Sequence, residues 1–296
     1  MNNWEDQFNT WSQAPSQAEQ DRSQRIVREI SDAINASPKL AHRKIEVFPQ
    51  GSYANRVNVK RDSDVDICCL CRDTFHYNLP TARTATDYSF EPATYTYTQY
   101  KSEVEEALID RFGRSAVQRG NKAIDVHDKT RLIDADVVAT FEYRDYSAPP
   151  FARDYSEGTV LFSDDGNLVT NFPSQQYSNG VAKHDRTNRR FKRQVRIQKS
   201  LRNKMEAEGL TVAEPIKSFL IESLCWNAPD DNYGNTTYVS DFENVMNWSY
   251  SKTGTDDETF ALLEVNARKR LFAAQNSWTR LQLRQYLESA WAYAHQ

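Results

Sequence analysis

Two apolar stretches that each carry a pair of aspartates constrain this chain more than anything else in it. Residues 64–71 read DVDICCLC and residues 131–143 read RLIDADVVATFEY. Both are rich in residues that favour pleated backbone, and side chains two apart on a strand point to the same face. Asp64 therefore shares a face with Asp66, and Asp134 shares one with Asp136. Two carboxylates held side by side in an apolar strand repel each other, which is easiest to understand if divalent cations bind between them. A Gly51-Ser52 turn precedes the first acidic strand, and its backbone amides and hydroxyl suit phosphate oxygens. The pattern points to a nucleoside triphosphate held through magnesium.

The intervening sequence shows how two such strands could share a sheet. Residues 16–36 form an amphipathic pattern, with Ile26, Ile30 and Ile34 at four-residue spacing, Ser16 as N-cap and Glu19 three residues on. Strands are expected at 44–49 and 64–71, a helix at 97–112 closed by Gly113, and short strands at 115–119 and 122–127 around Gly120-Asn121. The segment 72–98 lacks a clear period and reads as loop. A hairpin is expected over 158–172, stopped by Pro173. Helices are expected at 184–207, at 214–227 opened by Pro215, at 255–275 and at 277–295.

The expected architecture is α+β and bilobed, a mixed sheet with helices followed by an all-helical lobe. Its expected division is 1–175 for the N-terminal helix and catalytic core and 176–296 for the helical lobe. A length of 296 residues suits two packed lobes, since single cores stop growing near about 250–300 residues.

Charge and cysteine content exclude several other classes. The net charge of −4 argues against a chain that binds nucleic acid over its whole surface. The local distribution differs: residues 183–204 hold Arg186, Arg189, Arg190, Lys192, Arg193, Arg196, Lys199 and Arg202 against one acid, Asp185. That patch leaves an RNA partner open. Cys68, Cys69, Cys71 and Cys225 are too few and too clustered for a disulfide framework, and Cys68-x-x-Cys71 on a strand points to opposite faces, which disfavours zinc. The start MNNWEDQFNT lacks a signal-peptide pattern and no run of about 18 apolar residues exists, so the expectation is a cytoplasmic protein without a membrane partner. Neither a Walker loop nor a dinucleotide-binding glycine motif is present.

Gly-Ser followed by Asp-x-Asp and a third acid on a later strand resembles the nucleotidyltransferase superfamily signature. More narrowly, FPQGSYANRVNVKRDSDVDI, DADVVATF, NFPSQQYSNG, RRFKRQVRIQK and PIKSFLIESL resemble, in order, the bacterial cGAS/DncV-like nucleotidyltransferases, which make cyclic oligonucleotide signals in anti-phage defence. The resemblance implies that Gly51 and Ser52 hold the β- and γ-phosphates and that Asp64 and Asp66 ligate two Mg2+ ions, with Mn2+ as a substitute. It implies that Asp136 is the third carboxylate; Asp134 competes for that place because it shares the face. Asp62 also lies on the face of Asp64 but belongs to an exposed connector. Lys199 and Ser218 fall where the family places a lysine and a serine that contact the triphosphate.

The implied reaction condenses nucleoside triphosphates into a cyclic second messenger with release of pyrophosphate, read by a downstream effector. Two other functions compete: a terminal transferase acting on RNA, protein or a small molecule, and a catalytically silent nucleotide- or RNA-binding protein.

Overall fold

The computed structural model describes residues 4–59, 64–147, 155–274 and 276–295. Asp62, the third acid on the face of Asp64, lies outside the described residues. The chain divides into two compact units. One comprises Ser16–Ala54 and Ser63–Pro173; the other comprises Met1–Pro15, Asn55–Asp62 and Ser174–Gln296. The sequence suggested a single cut between 175 and 176. The break at Pro173 falls close to it, but the first fifteen residues and the short stretch from Asn55 go with the helices, for reasons given below.

In the helical unit, α1 spans Trp4–Trp11, an element the sequence patterns did not indicate. The first unit opens with α2, Gln17–Ala36, which begins at a complete capping box. Glu19 N donates to Ser16 Oγ at 3.3 Å, and Ser16 N donates to the Glu19 carboxylate at 2.7 Å. Then come β1 (Ile45–Pro49), the single turn α3 (Gly51–Ala54), β2 (Val65–Asn78), α4 (Tyr97–Phe112), β3 (Val117–Arg119), β4 (Ile124–Asp128), β5 (Ile133–Asp145), β6 (Ser156–Phe162) and β7 (Leu168–Asn171).

The strands form one seven-stranded mixed sheet in the order β1-β2-β5-β4-β3, with β6 on β5 and β7 on β6. β2 and β5 run parallel and the remaining pairs are antiparallel. A parallel pair needs a crossover, and the segment holding α4 supplies it. One face of the sheet is closed by isoleucines of α2 (Ile26, Ile30, Ile34) and by Val104 and Leu108 of α4, which meet Val65, Ile67, Ala135 and Val137. The opposite face at this end is half-buried, and it carries the acids.

β2 continues well beyond Cys71 into the segment expected to be loop. Its partner β5 is long, and pairing with it extends β2 through Asn78 past an irregularity between Cys71 and Phe75. The connection around Gly120-Asn121 has four residues instead of two, closed by Gly120 N donating to Ala123 O at 2.9 Å.

The helical unit continues with α5 (Pro173–Arg186), α6 (Phe191–Ala207), α7 (Ser218–Asn227), α8 (Tyr238–Ser251), α9 (Asp256–Phe260) and α10 (Arg280–Ala294). Several expectations are corrected here. Pro173 opens a helix as well as ending the hairpin, which suits its fixed φ at a first helical position. The helix expected over 184–207 is two helices, broken where Asn188 and Arg189 take left-handed φ of 49° and 63°. The helix expected from Pro215 begins at Ser218. Of the helix expected over 255–275 only α9 forms; beyond it Leu263 bridges Arg270, and Ala267 takes φ 56°.

The core of this unit gathers Phe8, Val57, Phe191, Leu201, Leu220, Phe242 and Leu287, which is why residues distant in sequence belong to it. Phe8 packs against Phe242 in a tilted arrangement with ring centroids 5.0 Å apart. Glu5 accepts from the free amides at the start of α8, Tyr238 N at 2.9 Å and Val239 N at 3.0 Å. No described helix is long and apolar enough to cross a membrane.

Candidate active site

The register of the central strands places the acids. Asp66 on β2 is the partner of Asp136 on β5, and Asp136 is in turn the partner of Asp125 on β4. Register partners on adjacent strands point to the same side of a sheet, so three carboxylates stand in a row across three strands. The alternating neighbours Val65, Ala135, Val137, Ile124 and Val126 point into the core, and that burial fixes which way the acids face. A one-residue slip would bury them. Asp64 precedes β2 by one residue, half-buried.

Like charges crowd here. Burial raises the pKa of Asp136 above the usual carboxylate value, and the charges of Asp125 and Asp64 raise it further, with His127 opposing. Asp134, the alternative third acid, is engaged differently: its carboxylate sits 2.5 Å from Nδ1 of His127, its register partner on β4. Asp125 was not singled out from sequence, although the alternation Ile124-Asp125-Val126-His127 contains the signal.

Gly51 opens α3 directly against the row. Its φ is +64°, a region open to glycine at little cost, and a Cβ built on it would lie 2.2 Å from Oδ2 of Asp66. Gln50 N donates to the Asp66 backbone carbonyl at 2.9 Å, which ties the turn to β2. Glycine is thus required twice at position 51, for its backbone conformation and for its lack of a side chain beside a carboxylate. Ser52 follows in the same turn, half-buried.

Gly51, Ser52, Asp64, Asp66 and Asp136 all belong to the sheet unit, whereas Lys199 and Ser218 belong to the helical unit. Lys199 is 1% exposed, and its Nζ donates to Val57 O at 3.0 Å. Ser218, the first residue of α7, accepts at Oγ from Arg202 Nη2 at 2.9 Å. Glu222, one turn further along α7, is buried and accepts from Asn55 Nδ2 at 3.2 Å and Gln176 Nε2 at 3.5 Å. Burial raises its pKa while the charges of Lys199 and Lys192 oppose that rise. A lone glutamate inside the apolar run SFLIESLCW was the available signal for it.

Among the described residues, no group of three His, Cys, Asp or Glu side chains is gathered that could hold a metal ion as it stands. The donor chemistry nevertheless fits Mg2+. Hard carboxylate oxygens lie in register on one face, their mutual repulsion asks for a cation, and such ions complete their shell with substrate phosphates and water. The four cysteines are buried free thiols, with burial pushing Cys68 up to about 12, and take no part.

Comparison with known proteins bears on this arrangement. Residues 178–295 match the family model described as the cGAS/DncV-like nucleotidyltransferase C-terminal helical domain. The chain is 39% identical to a cyclic dipyrimidine nucleotide synthase, CdnE, of Legionella pneumophila, over 98% of this chain and 97% of that protein. It is 35% identical to a protein of the same name from Cecembia lonarensis, over 97% of each. The structure of the Rhodothermus marinus CdnE c-UMP-AMP synthase with Apcpp and Upnpp superposes with a TM-score of 0.84 at 30% identity, covering 99% of this chain and 97% of that one.

Proposed function

The chain belongs to the cGAS/DncV-like nucleotidyltransferases and is a cyclic-nucleotide synthase, and on that premise we propose that it condenses two pyrimidine nucleoside triphosphates, with Mg2+, into a cyclic dinucleotide. The observation that carries the reading is the register of Asp66 with Asp136 beside the Gly51 turn. The preference for pyrimidines is supported by the names of the relatives at 39% and 35% identity.

In each transfer a ribose hydroxyl forms a bond to an α-phosphorus, the bond from that phosphorus to the bridging oxygen breaks, and pyrophosphate leaves. A second transfer closes the ring. When bound, two divalent ions would stabilise charge on the entering and leaving oxygens. Asp64, Asp66 and Asp136 would hold them. Asp136, in register with Asp66 on the same face, is the carboxylate that would take the proton of the attacking hydroxyl. The amides and hydroxyl of the Gly51-Ser52 turn bind the β- and γ-phosphates, and Gly51 keeps Asp66 in place by leaving room for it. Lys199, as a point charge, and Ser218, through its hydroxyl, are the further contacts to the triphosphate in this reading. The product serves as a second messenger read by an effector in anti-phage signalling.

Incubation with all four triphosphates and Mg2+, followed by mass spectrometry, tests the reading. A phosphatase-resistant cyclic dipyrimidine is expected, absent with Asp64→Asn/Asp66→Asn. Label appearing on added RNA in place of a small cyclic product would overturn it.

A further inference from the structure

A cavity of about 460 Å3 lies within the helical unit, between the end of α1, the residue Arg56, and the facing parts of α5 and α6. None of Gly51, Ser52, Asp64, Asp66, Asp136, Lys199 or Ser218 lines it. Its walls hold five cations, Arg56, Arg189, Lys192, Arg193 and Arg196, against one acid, Asp185. Arg196 builds the floor: it is 4% exposed, and its guanidinium donates to Ser12 O at 2.6 and 3.0 Å and to Arg56 O at 2.7 Å. These bonds go to backbone carbonyls, so they leave its charge uncompensated.

Lys192 is the decisive side chain. It is 7% exposed, its Nζ lies 5.8 Å from the centroid of the Tyr177 ring, and Glu222 is the acid whose charge acts on it most. Its ammonium lines the cavity and is not sealed off from it, so a ligand oxygen that enters can take a charge-assisted hydrogen bond there. Burial lowers its affinity for a proton, and Arg56 and Arg196 lower it further while Glu222 opposes them. His184 lines the same cavity and accepts the Lys192 backbone amide at Nδ1, 3.3 Å away. Its neutral form therefore carries its proton on Nε2 and adds a further donor. Arg189, at the left-handed turn between α5 and α6, is exposed at the rim, and Tyr177, 52% exposed, offers a ring face beside it.

We propose that this cavity binds the phosphate groups of a small polyanion of nucleotide size, either a nucleoside polyphosphate or inorganic polyphosphate. The buried position of Lys192 favours a group that can enter over the backbone of a duplex laid across a surface. Arginine forks on the rim and a point charge inside are the complement such phosphates require. The inference does not depend on nucleotidyl transfer, because different residues carry it.

Calorimetric titration in EDTA tests it, using inorganic tripolyphosphate and then UTP. Lys192→Met, which conserves volume, is expected to weaken tripolyphosphate binding tenfold or more. Arg189→Asn, which tolerates the left-handed backbone, is expected to weaken it about threefold. Arg114→Ala, which removes a surface cation remote from the cavity lining, should leave it unchanged. If UTP binds more tightly than tripolyphosphate and Tyr177→Ala removes the difference, the nucleoside is part of the ligand; equal binding identifies phosphate alone. Should Lys192→Met fail to fold, the exposed Arg189→Asn decides. Equal affinity in wild type and both variants overturns the proposal, as does an equal loss in Arg114→Ala or no binding of tripolyphosphate.

Discussion

The acidic face of the sheet and the basic cavity of the helical unit are built alike with the sign reversed. On the sheet, Asp136 is held among Asp125 and Asp64; in the helices, Lys192 and Arg196 are held among Arg56 and Arg193. Each group has its charged form disfavoured by burial and by like charge, with Glu222 opposing at Lys192. Side-chain packing sets both clusters, since the residues flanking them fill the two hydrophobic cores. A fold that accepts such repulsion can recover it when counter-ions arrive: cations at the carboxylates and phosphate oxygens at the ammonium and guanidinium groups.

The largest expected effect lies on the acidic side. Asp64→Asn/Asp66→Asn should lower cyclic product by about 10³-fold or more, because ion-mediated charge stabilisation is worth several kcal/mol. Chromatography of the products measures it, and activity that survives the double substitution would break the assignment of this face.

Next comes Gly51→Ala. The added carbon must displace the Asp66 carboxylate and sit at a φ of +64°. Turnover should fall about 100-fold, as for a small misplacement of a reacting group, with about 1 kcal/mol lost in stability. Steady-state kinetics together with denaturant unfolding would separate the two; unchanged turnover would mean that Asp66 does not need its present position.

On the basic side, burial and the charges of Lys192 and Arg196 push the His184 pKa down from 6.5 to about 4. A depressed folded-state pKa contributes stability that is present above the unfolded value and lost as pH falls through the folded one. The wild type should therefore lose stability between pH 6.5 and about 4. His184→Asn, which can keep an acceptor for the Lys192 amide, should reduce that loss by about 2–4 °C in Tm. Parallel acid melting curves for the two proteins would contradict this account.

The smallest expected effect tests the missed acid. Asp125 is the first charge, after burial, to raise Asp136. A raised folded-state pKa contributes stability present below the ordinary carboxylate value and lost as pH rises through the folded one. Removing the Asp125 charge by Asp125→Asn should raise the Tm of the metal-free protein at neutral pH by about 1 °C. A fall in Tm would show that Asp125 is paired in a way that outweighs the repulsion.

Much of this was legible in the chain because it is local. The capping box at Ser16 and Glu19, the isoleucine stripe of α2, the Asp-x-Asp alternation and the Gly-Ser turn each depend on residues a few positions apart. What escaped depends on partners far away. Trp4, Phe8 and Trp11 become a helix face only against α8 and α6, and β2 reaches Asn78 only because β5 runs beside it. The stretch after Phe260 has helical composition, but its buried Asn266 holds a loop by accepting from the Arg268 amide at 2.8 Å. Lys192, Arg196 and Lys199, at spacings of four and three, lie on one face of α6. Their burial could not be read from a run that usually marks a solvated surface.

The sequence by itself determined the chemistry of the sheet face: which strands carry paired carboxylates, and that a glycine-serine turn precedes the first. Periodicity two along a strand decides that much without any knowledge of neighbours. Only the tertiary structure decided which acid of the second pair stands beside Asp66, because that is a matter of register between strands about seventy residues apart. It also decided that cations on an apparently exposed helix line a cavity, since burial belongs to the elements packed against a helix and not to the helix itself.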